Sequence, residues 1–223
     1  LDSVKSLSAS ALSQTEIQLS WTNPSGSNQF GGIRVKKGGT TIATLAKNAT
    51  SYKATGLSAN TNYDFTVETY MTITGEERTA NAIISRYTLS NQVGSLTATA
   101  TSPTTVTLNW TNPSSGTWSK IYIYQDGEYI DHWYPSHNTT SCSYSVASGG
   151  TSYTFEIRSL NGNGVVNSTG SKTVNITTPA QPVTGLKTFD KGINYVTLQW
   201  TNPAGNYTGV KVYHKLSSSS NWS

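Results

Sequence analysis

The sequence predicts an all-β protein in which one antiparallel β-sandwich unit is repeated about two and a half times. Three observations predict it. First, a phrase recurs: Leu19-Ser-Trp21-Thr-Asn-Pro24, then Leu108-Asn-Trp110-Thr-Asn-Pro113, then Leu198-Gln-Trp200-Thr-Asn-Pro203. Its tryptophans lie 89 and then 90 residues apart, and self-similarity at a fixed period marks a repeated structural unit. Second, each phrase closes a run of strict alternation. Ile17, Leu19 and Trp21 share one phase, as do Val106, Leu108 and Trp110, and Val196, Leu198 and Trp200. Period two is the signature of a strand with one buried face. Third, only 12% of the 223 residues are charged, while Thr, Val, Tyr and turn residues abound and no long helical period occurs.

The first unit spans residues 1–89. A strand covers Val4 to Ala11, and the Trp21 strand follows until Asn-Pro stops it, because proline has no N–H for the ladder. Ile33 and Val35 face inward on the next strand. Gly38-Gly39 then turns the chain into Thr41 to Leu45, a hairpin signal. Tyr52 lies on a short strand. Tyr63, Phe65 and Val67 alternate on another, and a last strand runs near Ala82 to Thr88.

The second unit spans residues 90–179 and matches in order. Ile121 and Ile123 replace Ile33 and Val35. Asp126-Gly127 replaces the glycine pair, Ile130 and Trp133 replace Ile42 and Leu45, and Tyr153, Phe155 and Ile157 replace Tyr63, Phe65 and Val67. The third unit, 180–223, holds a strand near Val183 to Leu186, the Trp200 strand and a strand from Tyr207 to Tyr213, then fades into Ser217 to Ser220. Half a sandwich leaves Val196, Leu198, Trp200, Val210 and Val212 without a facing sheet. The expectation is that more chain, or a partner's strands, completes it. The connections, Leu89 to Val93 and Pro179 to Val183, are short and suit modules set end to end.

A Trp on the second strand, and a Tyr opening the sixth after Gly56-Leu57 and Thr61, resemble fibronectin type III domains. Trp21, Tyr63, Phe65 and Val67 carry the resemblance in the first unit. Trp110, Thr151, Tyr153, Phe155 and Ile157 carry it in the second, where Ala147 departs from the expected Leu. In the third unit only Trp200 and the strand after it do so. The resemblance implies tandem immunoglobulin-like sandwiches, the third incomplete, with Trp21, Trp110, Trp200, Tyr63 and Tyr153 as structural core. It implies tyrosine corners whose hydroxyls bond back to nearby backbone. The Trp-Thr-Asn-Pro wording looks like the bacterial and bacteriophage branch of that family, where such domains act as spacers or binding modules in tail and baseplate proteins, adhesins and secreted polysaccharide hydrolases.

Enzyme signatures are missing from the sequence: there is no Gly-x-Ser-x-Gly elbow, no phosphate loop and no His-Glu-x-x-His. No catalytic residue, cofactor or metal site is therefore assigned. Asp126, Glu128 and Asp131 crowd one hairpin beside His132, but simple alternation points Glu128 away from Asp131. His132, His137 and Cys142 lack zinc-ligand spacing, and Cys142 reads as a small buried hydrophobe. A net charge of +4 without a basic stripe argues against nucleic acid. No apolar run is long enough for a membrane helix. Seven Asn-x-Ser/Thr sequons occur, at Asn48, Asn109, Asn138, Asn167, Asn175, Asn206 and Asn221, a count close to the roughly 5 expected by chance from this composition.

The sharp feature is aromatic. Tyr122 and Tyr124 fall on the outward phase of their strand, and Tyr129, Trp133 and Tyr134 sit on the adjoining hairpin. The first unit has Arg34, Lys36, Thr41, Leu45 and Ala46 at those places. These five rings form the candidate binding surface, suited to sugar stacking or a protein interface. Trp118 is excluded, because Phe30 and Tyr207 hold its place elsewhere. The expected function is a non-enzymatic, extracellular or virion-surface array that spaces, assembles and attaches. Its setting would be a bacteriophage tail, fibre or baseplate, or a cell-surface protein. Its partners would be other copies, other structural proteins of the same assembly, or cell-surface glycan. The alternatives are an accessory region of a secreted polysaccharide-degrading enzyme and a bacterial surface adhesin.

Overall fold

The computed structural model describes residues 1–25, 30–215, 218 and 220. The Asn221 sequon and part of the Ser217–Ser220 run lie outside them. In the first repeat, alternating sequence becomes β1 (Lys5–Ala11), β2 (Ile17–Thr22), β3 (Gly32–Lys37), β4 (Thr40–Leu45), β5 (Ser51–Ala54), β6 (Asn62–Ile73) and β7 (Glu76–Tyr87). These strands form the antiparallel sheets β1-β2-β5 and β4-β3-β6-β7. Ile17, Leu19 and Trp21 of one sheet and Ile33, Val35, Phe65 and Val67 of the other are buried in a single cluster with Val4, Phe30, Ala54 and Leu57. β6 and β7 run farther than the sequence suggests, to a turn at Thr74-Gly75. Their outer halves bury little, so no hydrophobic alternation announces them. Backbone pairing alone carries Thr72 opposite Glu77.

The second repeat gives β8 (Leu96–Ser102), β9 (Thr105–Trp110), β10 (Lys120–Gln125), β11 (Glu128–Trp133), a 3₁₀ turn at Pro135–His137, β12 (Ser141–Ser145), β13 (Ser152–Leu160) and β14 (Val166–Thr177). The sheets are β12-β9-β8 and β11-β10-β13-β14, the order of the first repeat again. The third contributes the pair β15 (Thr184–Lys191) and β16 (Val196–Thr201). The expected strand from Tyr207 to Tyr213 is not formed, because a strand needs a neighbour's ladder and none is paired there among the described residues. Val196 and Leu198 are 62% and 38% exposed, against 0% for Ile17, Leu19, Val106 and Leu108. Trp200, expected in a core, is only half-buried.

The recurring phrase has a local reason. The Trp21 indole Nε1–H donates to Asn23 Oδ1 at 3.1 Å, Trp110 to Asn112 at 2.8 Å and Trp200 to Asn202 at 3.0 Å. Asn23 Nδ2 and Asn112 Nδ2 then donate to the backbone oxygens of Lys47 and Thr139. The asparagine satisfies the one polar atom of a ring that is otherwise buried, 5% exposed at Trp21 and 4% at Trp110.

By its contacts the chain divides into two compact units. The first comprises Leu1–Leu96, Trp110–Thr140 and Phe155–Thr173, the second Thr97–Asn109, Ser141–Thr154 and Val174–Ser223. Inside the first unit, the connection after β7 is clamped by polar side chains. Thr88, Ser90, Ser159, Asn161 and Asn167 are all buried. Asn161 Nδ2 donates to the Thr88 oxygen at 2.9 Å and Asn167 Nδ2 to the Ser90 oxygen at 2.7 Å. Gln92 Oε1 accepts from Ser159 N and Oγ at 3.1 and 3.0 Å, and Gln92 Nε2 donates to Asn167 O. Asn60 accepts from Gly162 N at 2.6 Å and donates to Gly116 O at 3.1 Å. Gly162 meets the Tyr87 ring so closely that a Cβ there would sit 2.6 Å from it.

Within the second unit, Val106, Leu108, Val146 and Tyr153 are buried, and the Tyr153 hydroxyl accepts from Ser148 N at 2.8 Å and donates to Ser148 O at 3.0 Å. Tyr63, in the first unit, accepts from Ser58 N at 2.9 Å and is half-buried. Gly150, at φ +65°, is overlain by the Asn206 carbonyl, which occupies the place of a Cβ. Cys142, expected to be buried, is half-buried opposite Leu108.

Candidate functional site

The candidate surface is built on β10 and β11, and one β-bulge decides its membership. Ile121 pairs with Trp133, Tyr122 with His132, Ile123 with Asp131, Tyr124 with Tyr129 and Gln125 with Glu128. Ile130 has no partner, so two residues of β11 oppose one step of β10. Directly paired residues share a face. Tyr122, Tyr124, Tyr129 and His132 therefore lie together, although Tyr129 and His132 are an odd number of positions apart. Trp133 falls on the phase of Ile121, the wrong side for the surface the sequence assigned it to. Its ring meets His137 edge-on, centroids 5.9 Å apart. The same shift corrects a second expectation: Glu128 and Asp131 share a phase rather than opposing each other. Even so, no cluster of three metal-ligating residues occurs among the described residues.

The rings on the surviving face interlock. Tyr122 and Tyr129 meet edge-on at 5.1 Å, Tyr124 and Tyr129 at 6.1 Å, and His132 and Tyr134 at 5.4 Å. Tyr129 and His132 are near parallel, 20° apart, and Tyr129 Oη lies 2.6 Å from His132 Nδ1. Tyr122 and Tyr124 are half-buried by these neighbours rather than free, as the sequence had suggested, while Tyr129 and Tyr134 are 49% and 40% exposed. Burial, then the neighbouring Tyr122 and Asp131 charges, pushes the Tyr129 phenol above its ordinary range.

Two cations frame the rings. Lys120 Nζ lies 4.6 Å from the Tyr134 ring centre and 5.6 Å from that of Tyr122. A hydrogen bond to Tyr134 leads the effects that raise the Lys120 pKa. Arg158, paired with Tyr122 across β13, sits 4.4 Å over the Tyr124 ring and grips Glu156 through two bonds of 2.8 and 2.7 Å. That grip raises the Arg158 pKa and holds the Glu156 carboxyl below its ordinary range. A shallow cavity of about 250 Å³ opens beside Lys120, lined by Ser119, Tyr122, Tyr134, Leu160, Asn161 and the glycines 162 and 164.

The same face of the first repeat has different chemistry. Glu68, 2% exposed, is bracketed by Arg34 at 3.3 Å and Lys36 at 2.6 Å, and Arg34 also holds Glu77 at 2.5 Å. These pairs hold the Glu77 carboxyl down and the Arg34 guanidinium up. Arg34 and Lys36 thus become Tyr122 and Tyr124 in the second repeat, on identical strand positions. Lys120, His132 and Arg158 were not assigned to the surface from sequence. Lys120 is on the phase of Tyr122 and Tyr124, which is the signal that could have found it. His132 and Arg158 required the pairing.

The chain is similar to several known proteins. The model of the fibronectin type III domain matches residues 2–85. Mouse receptor-type tyrosine-protein phosphatase eta is 38% identical over 104 residues, covering 47% of this chain and 8% of that protein. The chicken protein of the same name is 28% identical over 205 residues, covering 89% of this chain and 14% of its own length. The chain thus spans a small part of these relatives. Among solved structures, a two fibronectin type III domain segment from chicken tenascin is similar at 17% identity and TM-score 0.49, covering 78% of this chain and 99% of that one. The central fibronectin III array of RIM-binding protein is similar at 14% identity and TM-score 0.34, covering 88% and 78%.

Proposed function

We propose that the chain is a non-enzymatic array of fibronectin type III-like modules, divided at 89/90 and 179/180, that spaces and attaches, with the β10–β11 face of the second module as its contact surface. One observation carries this reading. Two repeats share strand order and register, yet one covers its outer face with an ion-pair network and the other with interlocked rings and cations. A fold requirement would act on both alike; a contact requirement acts on one. Fibronectin type III domains are typically extracellular and non-catalytic. The setting we infer is a bacteriophage virion, as a tail, fibre or baseplate component, or a cell surface. The Trp-Thr-Asn-Pro wording supports the former, and receptor-type relatives support the latter. The partners would be other structural proteins of the assembly or surface glycan.

The test is binding of the full chain to immobilised cell-wall and cell-surface glycans and to candidate assembly partners. The comparison is with a variant carrying Tyr122→Ala, Tyr124→Ala and Tyr129→Ala together. Binding that falls at least ~10-fold while the strand signature in circular dichroism persists supports the reading. Binding equal in both proteins places the contact elsewhere and overturns it, as hydrolysis of any polysaccharide would overturn the non-enzymatic part.

A further inference from the structure

We propose that the contact surface of the second repeat takes an acidic saccharide, with Lys120 receiving a sugar carboxylate and the Tyr129–Tyr134 rings receiving the pyranose face. This rests on the contact-surface reading and specifies its ligand.

The charge is the first argument. Lys120 holds its ammonium against two phenol rings, and no carboxylate pairs with it among the described residues, whereas Lys36 in the first repeat is closed by Glu68 and Arg158 by Glu156. An ammonium has three donors. The Lys120 Nζ rests 4.6 Å from the Tyr134 ring centre and 5.6 Å from that of Tyr122, and all three residues line the open cavity. The second argument is shape. The cavity is bordered by Ser119 and by the glycines 162 and 164, with Leu160 as its only aliphatic wall. An acidic peptide would need apolar pockets for anchoring side chains, and this site has none of depth. A sugar presents a flat C–H face for the rings and a rim of hydroxyls for Ser119 and the glycine backbone.

The third argument is rigidity. Tyr129 is held by its bond to His132 and by two ring contacts, and Tyr122 by three ring contacts and Lys120. Rings already fixed lose little freedom on binding, which matters for a weak, exposed ligand. Asn161 faces the cavity and also bonds the Thr88 oxygen, so the site stands on the clamped connection rather than on a mobile loop.

The experiment uses the full chain in calorimetric titrations. The probes are tetragalacturonic acid and sialyllactose, each with its carboxyl-esterified counterpart, and a polyglutamate peptide. The expected result is binding of at least one acidic sugar, weakened ~10-fold or more by esterification and by Lys120→Met, and weakened further as salt rises. Tyr129→Ala should reduce both charged and esterified forms. If the esterified sugar binds as well and Lys120→Met changes nothing, the acidic specificity is refuted while the contact surface stands. If polyglutamate binds as tightly as the sugars, the saccharide assignment is refuted. If none of the sugars binds but the triple tyrosine variant still loses its native partner, the ligand is wrong and the surface right. If that variant also loses nothing, both fall.

Discussion

Replacing Asn161 by alanine should loosen the joint that ties the first repeat to the sheet carrying the rings. Asn161 is 1% exposed. Its Nδ2 donates to Thr88 O at 2.9 Å, and its Oδ1 accepts from Asn163 N at 3.1 Å and Val165 N at 2.9 Å. Alanine removes all three bonds. Thr88 is fully buried, so its carbonyl loses its side-chain partner where water does not reach, a penalty of about 1–3 kcal/mol. Asn163 and Val165 are at least partly exposed, so water replaces most of what their N–H groups lose, about 0.5 kcal/mol each. The sum is roughly 2–4 kcal/mol, a fall in Tm of about 6–12 °C at ~3 °C per kcal/mol for a chain of this size. Thermal unfolding measures it, and hydrogen exchange at Ser90 and Asn91 locates it. Asn161→Asp separates the two halves of the effect: it keeps the acceptor for the turn but sets a carboxylate against the Thr88 carbonyl, and should destabilise at least as much. Asn163→Ala, at an exposed neighbour, should move Tm by less than ~2 °C. A change below ~0.5 kcal/mol in Asn161→Ala, with exchange at Ser90 and Asn91 unaltered, would refute the claim that buried amides clamp this connection.

Two further outcomes follow from the same geometry. Deleting Ile130 removes the bulge and makes the pairing of β10 and β11 one-to-one, which leaves Tyr129 opposite Tyr124 and, two positions from His132, on the same face. The near-ultraviolet dichroism of the tyrosines and the strand content should therefore both be kept; a loss of the tyrosine dichroism with strand content intact would refute the claim that Ile130 is the extra residue of this register. In acid, Glu77 and Glu156 have folded pKa values lowered chiefly by their hydrogen bonds to Arg34 and Arg158. A lowered carboxyl pKa contributes stability that is present above the ordinary value near 4.5 and lost as pH falls through the folded value. Urea midpoints should therefore drop between about pH 4.5 and pH 2. Arg34→Met with Arg158→Met should flatten that part of the profile, and an equally steep profile in the double variant would remove the ion pairs as its cause.

The limits of reading the chain as a string show in particular residues. Ile17, Leu19, Ile33, Val35 and their counterparts were legible because a buried face writes itself as alternation, and burial needs no knowledge of which strand lies opposite. The Trp phrase was legible as a repeat, yet its asparagine's work was missed, although Asn23, Asn112 and Asn202 recur in all three copies. Trp133 was misplaced because alternation was carried across a bulge. Val210 and Val212 have strand-like sequence but no neighbouring ladder, and no strand forms.

Composition and periodicity by themselves determined an all-β chain of repeated sandwiches, with the main core positions of its first two repeats named. Those properties depend on distances along the chain of two residues or of about ninety, which a sequence displays directly. Tertiary structure alone decided which rings share a surface and how the first connection is held. A single unpaired residue, Ile130, reverses the direction of every side chain beyond it, and Thr88 meets Asn161 across 73 intervening positions. Neither relation is local, so neither is written in any window of the sequence.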